Sequence, residues 1–251
     1  MENGTIVHVD YELYNADSGD LLETTLESVA KEHEMHQEGR TYTPLVTVVG
    51  AGQLIEGFED SLLEAEEGTE YDIEIEPVKG YGEKDTSMIE TINQDKLMRA
   101  VRDPKSLYIG GPVEINGRQG ILTLFAAGRA RVDFNHPLAG RTLRYKYTIV
   151  KTIEDRAEKV VALLKANTGH DDFEVEFDGD DVSITVPQSM LFDTNAAMMK
   201  FRVVTVLRDA VEVGKVSFIE VHEPRVAAAE EEHDCEDPDC GHESHSHGEE
   251  E

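Results

Sequence analysis

Apolar and polar positions alternate along several stretches of the chain, and a few longer stretches repeat at helical spacing. Val7, Val9, Tyr11 and Leu13 in "TIVHVDYELYN" keep a period of two, which predicts a half-buried strand. "DSGD" turns it, and "LLETTLESVAKEHEMHQEGR" is expected to lead away as a turn followed by an acidic helix. "PLVTVVG" predicts a second strand. In "GAGQLIEGFEDSL", Leu54, Ile55, Phe58 and Leu62 recur at helical spacing, with the helix expected to close near Gly68. "EYDIEIEP" alternates Tyr71, Ile73 and Ile75 and stops at Pro77, and far downstream "RTLRYKYTIVKTI" alternates Leu143, Tyr145, Tyr147 and Ile149.

Between the last two strands the pattern changes. Residues 87–133 hold a helical piece, "NQDKLMRAVR", then "PVEINGRQGILTLFAAGRARVDF" with Asn116-Gly117 as a two-residue hairpin turn. Strands that pair across such a gap imply an inserted small domain. After Asp155 the order is helix ("RAEKVVALLKAN"), hairpin around Gly179 ("FEVEFDGDDVSITVP"), long helix ("NAAMMKFRVVTVLRDAVE") and strand ("KVSFIEV"). This α-β-β-α-β block reads as a packing or interaction domain, with no glycine-rich phosphate loop, no Ser-His-Asp set and no nucleophile in its sequence. The expected organisation is 1–86 with 134–155, an insert at 87–133, a C-terminal α/β block at 156–224, and a low-complexity acidic tail at 225–251.

Charge then narrows the function. Of 251 residues, 53 are Asp or Glu and 23 are Lys or Arg, a formal charge of −30. A phosphate backbone needs the opposite sign, so no nucleic acid is expected as partner. The acids run through the whole chain, as in "LEAEEGTEYDIEIEP" and "HDDFEVEFDGDD". That spread favours a halophilic setting, where molar salt shortens the screening length to about 3 Å, over a single acidic docking surface. No run of 18 or more apolar residues exists and the N-terminus lacks a secretory pattern, so neither a membrane span nor a signal peptide is expected. Both cysteines, Cys235 and Cys240, sit in the tail, which points to a cytoplasmic protein without a disulfide framework.

Several segments, in their order, carry a family resemblance. "VGAGQLIEGFEDSLLEAEEGTEYDIEIEPVKGYGEKD" resembles the central block of FKBP-type peptidyl-prolyl isomerases. "VDFNHPLAGRTLRYKY" is similar to the segment that re-enters that domain after the insertion in SlyD-like members. The block ending "GKVSFIEV" looks like the extra C-terminal domain of the long archaeal FKBP isomerases. The resemblance covers residues 1–224 and implies an α+β fold: a twisted antiparallel sheet with a short helix, an inserted β-rich domain and the α-β-β-α-β block.

It also implies a peptidyl-prolyl cis-trans isomerase (rotamase) and folding chaperone acting on unfolded, proline-containing polypeptides, with no cofactor for catalysis. By the same resemblance, Tyr11, Glu23, Ile55, Phe58, Tyr81 and Tyr145 are the catalytic set, and Leu22, Leu45, Leu54 and Leu138 complete the substrate slot. Phe58 would be its floor, and the Ile55 N–H and Tyr81 hydroxyl would hold substrate carbonyls. Leu22-Glu23 stands where many members have an aromatic followed by Asp, and Phe58 where they have Trp, so weak binding of macrolide inhibitors is expected. In the insert, Met88, Ile89, Leu97, Met98, Val101, Leu122, Leu124 and Phe125 would give either an adaptable chaperone surface or the insert's own core.

The tail adds separate chemistry. "HDCEDPDCGHESHSH" places His233, Cys235, Cys240, His242, His245 and His247 within 15 residues, a soft donor set suited to Zn²⁺ or Ni²⁺. A solvated polyanionic tail is the alternative. Two further functional readings stand beside the isomerase: a catalytically weak holding chaperone, and a metal-handling protein working through the tail.

Overall fold

The computed structural model describes residues 1–101 and 103–222. In chain order the strands and helices are β1 (Ile6–Asn15), β2 (Leu21–Thr24), α1 (Glu27–Glu32), β3 (Leu45–Val48), α2 (Glu56–Glu64) and β4 (Glu70–Ile75). Next come β5 (Ile89–Asn93), α3 (Gln94–Ala100), β6 (Pro112–Ile115), β7 (Arg118–Ala126), β8 (Arg129–Asp133) and β9 (Leu143–Ile153). The chain continues through α4 (Arg156–Thr168), β10 (Glu174–Asp178), β11 (Asp181–Val186), α5 (Gln188–Leu191), α6 (Ala196–Val211) and β12 (Val216–Glu220). Among the described residues no helix is long and apolar enough to cross a membrane.

The first sheet is antiparallel with strand order β2-β1-β9-β4, and β3 pairs with β1 beside β2. Alternation along β9 turns Leu143, Tyr145, Tyr147 and Ile149 to one face, where they are buried with Val7, Val9, Leu13, Phe58 and Leu62. The β1–β9 register then slips: His8 opposes Lys151 but Val9 opposes Ile149, leaving Val150 unpaired. Such a one-residue bulge reverses which face the following side chains take. Ile153 therefore leaves that core and is buried with Ile6 and Val48 in another. Gly57 lets α2 lie close on the end of β4, because a Cβ there would come within 2.6 Å of the Ile75 side chain.

The insert is a second antiparallel sheet, β5-β8-β7-β6, with α3 against it and its own core of Leu97, Val113, Leu122, Ala130, Val132 and Phe134. Asn116 and Gly117 both have positive φ, +52° and +75°, the geometry that a two-residue hairpin turn needs. Ala127-Gly128 forms a second such turn, at +51° and +75°, which the sequence pattern does not reveal because alanine rarely adopts that conformation.

In the C-terminal block, β10 and β11 form the hairpin and β12 returns parallel to β11 after α6. Asp155 caps α4 by accepting the Glu158 N–H at 2.8 Å, and Gly169 ends the helix in the left-handed conformation. The block's core, with Leu164, Ile184, Met190 and Leu207 at its centre, takes in Ile6, Val48 and Ile153 from the first sheet. So the described part of the C-terminal α/β block expected at 156–224 packs onto the opposite face of that sheet.

Three local expectations are corrected. Leu21–Thr24 is a strand rather than a turn, and the helix after it covers only Glu27–Glu32. Helix α2 ends at Glu64, and Gly68 instead donates its N–H to the Ile149 carbonyl in the turn before β4. The tail at 225–251 lies outside the described residues.

Candidate functional site

Strand alternation, the antiparallel register and one helix bring a set of rings together. Leu13 opposes Tyr145 and Tyr11 opposes Tyr147 across β1 and β9, while α2 lays Phe58 over them. Phe58 stacks on Tyr145 at 4.5 Å between centroids and meets Tyr147 edge-on at 5.0 Å. Tyr11 lies 6.3 Å from Phe58 and 5.8 Å from Tyr145. Phe58 is 2% exposed and Tyr145 6%, so both form the closed side of the site. Leu22, Leu54, Ile55 and Leu138 are half-buried and pack on the same cluster. Leu45 does not join it. It pairs with Val9 at the sheet edge and reaches Tyr11 and Glu23 through an open cleft of about 620 Å³ instead.

Burial, then the Glu23 charge, then a hydrogen bond donated to the Glu23 carboxylate raise the Tyr11 hydroxyl well above the ordinary phenol range. Burial likewise raises Tyr145, aided by Tyr81, Tyr11 and Glu23. These phenols stay neutral, and Glu23 is the charged member of the set. The extra methylene of Glu23 still reaches Tyr11, and Arg40 Nη2 lies 3.4 Å from its carboxylate. Tyr81 is 36% exposed, and its phenol is raised by its own burial and then by the Glu23 charge.

The backbone around residue 55 is shaped by a group that periodicity did not single out. Glu59 is 8% exposed, and its Oε1 accepts the N–H groups of Gln53 at 2.9 Å and Leu54 at 3.1 Å. Among the described residues the next N–H, that of Ile55, has no acceptor. An unpaired donor beside an apolar floor is suited to a carbonyl supplied from outside. His136 was also missed. Its ring stacks on Tyr81 at 4.1 Å with 3° between planes, and its Nδ1 accepts the Leu138 N–H at 3.2 Å. The only hint in the sequence was that "NHPLAG" re-enters the sheet beside the Tyr81 turn.

The C-terminal block corrects one reading. Ser189 Oγ lies 3.1 Å from His170 Nδ1, and Asp193 Oδ2 lies 3.3 Å from Nε2, so a Ser-His-Asp set does exist. The roles of the two ring nitrogens are reversed relative to a hydrolytic triad, in which serine faces Nε2. Asp193 also accepts the Asn195 N–H, so the set ties the end of α4 to the start of α6. Separation in sequence hid it. In the insert, Leu97 and Leu122 are fully buried and serve its core, while Met88, Met98 and Leu124 are exposed and Ile89, Val101 and Phe125 half-buried. The expected metal ligands His233, Cys235, Cys240, His242, His245 and His247 lie outside the described residues.

Comparison with known proteins finds two family matches and several relatives. A family model described as FKBP-type peptidyl-prolyl cis-trans isomerase matches residues 1–98, and one described as FKBP26_C-terminal matches residues 156–223. A short-type peptidyl-prolyl cis-trans isomerase of Methanocaldococcus jannaschii is 34% identical over 145 residues, 58% of this chain and 89% of the relative. SlyD of Helicobacter pylori is 28% identical, covering 61% of this chain and 76% of that protein. SlyD of Treponema pallidum is 27% identical, covering 65% and 85%. A sheet carrying an aromatic-bearing helix, interrupted by a β-rich insert and 34% identical to a relative matched over 89% of its length, places this chain in the family of FKBP-type peptidyl-prolyl cis-trans isomerases.

Proposed function

We propose that this protein catalyses cis-trans exchange of X-Pro bonds in unfolded or partly folded polypeptides at the slot floored by Phe58 and Tyr145. An X-Pro bond exchanges over tens to hundreds of seconds, because rotation breaks amide resonance against a barrier of roughly 18–20 kcal/mol. The planar amide is more charge-separated than the twisted one, so an apolar, water-poor slot favours the twisted form. Each 1.4 kcal/mol or so of that preference speeds exchange about tenfold. No nucleophile or proton transfer is required. Phe58, Tyr145, Leu54, Leu22 and Leu138 supply the apolar surroundings. The Ile55 N–H and Tyr81 hydroxyl hold the flanking carbonyls, and Glu23 keeps Tyr11 in place as the near wall.

The observation that carries this reading is the free Ile55 N–H beside a stacked, neutral aromatic floor. Exchange of a short prolyl peptide, followed by NMR in high salt, tests it. Wild type should accelerate exchange, and Phe58→Ala and Tyr81→Ala should each lose most of that acceleration; full activity in Phe58→Ala would overturn the slot assignment.

A chaperone role for the insert is supported by its exposed apolar side chains. Tyr108 is 63% exposed and Ile109 62%, and Met88, Met98 and Leu124 join them at the surface. Wild type that suppressed aggregation of an unfolded client without accelerating exchange would leave the holding chaperone as the function. The reading extends to a cytoplasm rich in salt, supported by the charge of −30, and to Zn²⁺ or Ni²⁺ on the tail, supported by its donor spacing. Removing residues 226–251 should abolish metal uptake and spare exchange.

A further inference from the structure

The cleft that Leu45 shares with Tyr11 and Glu23 has a second wall from another part of the chain. Its near side is the β3 edge and the loop before it, through Thr43, Pro44, Leu45 and Val46; its far side is the end of α4, through Lys165, Ala166, Gly169 and Asp171. The C-terminal block thus stands directly beside the slot. We propose that this cleft holds the extended polypeptide flank of the prolyl substrate, so that the end of α4 is half of the substrate site. The inference rests on the slot being where the prolyl bond is turned.

Three observations fit an uncharged extended chain as the occupant. The first is the sheet edge. Among the described residues strand β3 has β1 as its one partner, and Val49, continuing the strand, donates its N–H to the Thr5 carbonyl at 2.9 Å. Antiparallel alternation then turns Thr47 and Leu45 toward β1 and leaves the Val46 N–H and C=O facing outward. Among the described residues no turn or loop partner takes them. An open edge of this kind is completed by one more strand.

The second is charge. Arg40 lies against Glu23 at 3.4 Å and Lys165 against Asp171 at 2.7 Å, so each wall balances itself. Burial, then the Lys151 ammonium, hold His8 below its ordinary imidazole value, so it adds no charge at neutral pH. An ion gains little in such a cleft, whereas Leu45, Val46, Pro44 and Ala166 offer apolar contact and Thr25, Thr41 and Thr43 offer hydroxyls. The third is continuity. Tyr11 and Glu23 line both the slot and the cleft, so a chain leaving the slot on that side enters between β3 and α4 without a break.

The experiment compares a short prolyl peptide with two longer ones, each extended on one side by about six Val, Thr and Ser residues, roughly 20 Å of strand. The full chain is assayed as wild type, as Ala166→Trp, which fills the cleft from an exposed position, and as Ala166→Ser. Wild type should turn over one longer peptide with a kcat/KM about tenfold above the short one, the gain appearing in KM. Ala166→Trp should remove that gain and leave the short peptide unchanged, and Ala166→Ser should keep it. Equal rates for all peptides in wild type, or a preference that survives Ala166→Trp, would overturn the proposal. No acceleration of even the short peptide would sink the slot itself, and this inference with it; a slot intact but without the flank preference fails here alone.

Discussion

The slot and the insert spend their apolar residues differently. Around the slot, Phe58, Tyr145 and Tyr147 are almost fully buried, with Phe58 stacked on Tyr145 and edge-on to Tyr147, fixed by the long β1–β9 ladder beneath them. Among the described residues the insert has a smaller core without stacked rings, and keeps Tyr108, Ile109, Met88, Met98 and Leu124 at its surface. Rigid aromatic packing suits a site that must hold one twisted geometry. Flexible, exposed methionine and aliphatic side chains suit contact with many unfolded segments.

The largest expected effects test whether the two regions are separate. Phe58→Ala should cost about 3–5 kcal/mol of the stability of the first sheet, read by urea unfolding, along with the loss of exchange already described. Leu122→Ala should cost the insert about 2–5 kcal/mol while short-peptide exchange persists and aggregation suppression falls. Equal loss of exchange in Leu122→Ala would erase the distinction.

A smaller effect sharpens the junction between them. Asn135 Nδ2 donates to the Asp85 carbonyl at 2.9 Å and to Asp133 Oδ1 at 2.7 Å, and Lys84 Nζ lies 2.7 Å from Asp133 Oδ2. Burial alone would raise the Asp133 carboxyl, but Lys84 and Asn135 outweigh it and hold it below its ordinary 3.8. Its contribution is therefore complete above about pH 4 and is lost as pH falls through the lower folded value. Acidification should speed amide exchange in β5 and β8 before it affects β1 and β9, and Asp133→Asn should flatten that pH dependence. If β1 and β9 open first, the junction is not the weak point.

The smallest effect lies at the rim of the slot. Glu23→Gln keeps an acceptor for the Tyr11 hydroxyl and removes the charge, so short-peptide exchange should change only about two- to threefold. Titrating Tyr11 by UV difference spectroscopy in the same variant should show its phenol moving back toward the ordinary range, because the Glu23 charge is one of the causes of its rise. An unmoved phenol would remove Glu23 from the site.

Much of this was legible in local pattern. A period of two marked β1, β4 and β9, helical spacing marked α2, α4 and α6, and Asn116-Gly117 marked its turn, because each depends on neighbours within a few residues. Family resemblance marked Tyr11, Phe58 and Tyr145, and the structure brings those rings together. Other features had no local signature. The unpaired Val150 that sends Ile153 to the other core, the buried Glu59 that orders the loop at Gln53, and His136 over Tyr81 all depend on partners brought in by the fold. The same holds for the Ser189–His170–Asp193 tie.

By itself the sequence determined most of the elements, the order of the blocks and the acidic character, since hydrophobic period, turn residues and charge are written residue by residue. Only the tertiary structure decided that the C-terminal block shares a core with the first sheet and lends the end of α4 to the cleft beside the slot. That decision is made by burial of Ile6, Val48 and Ile153 against helices far along the chain, and no short window of sequence holds both partners.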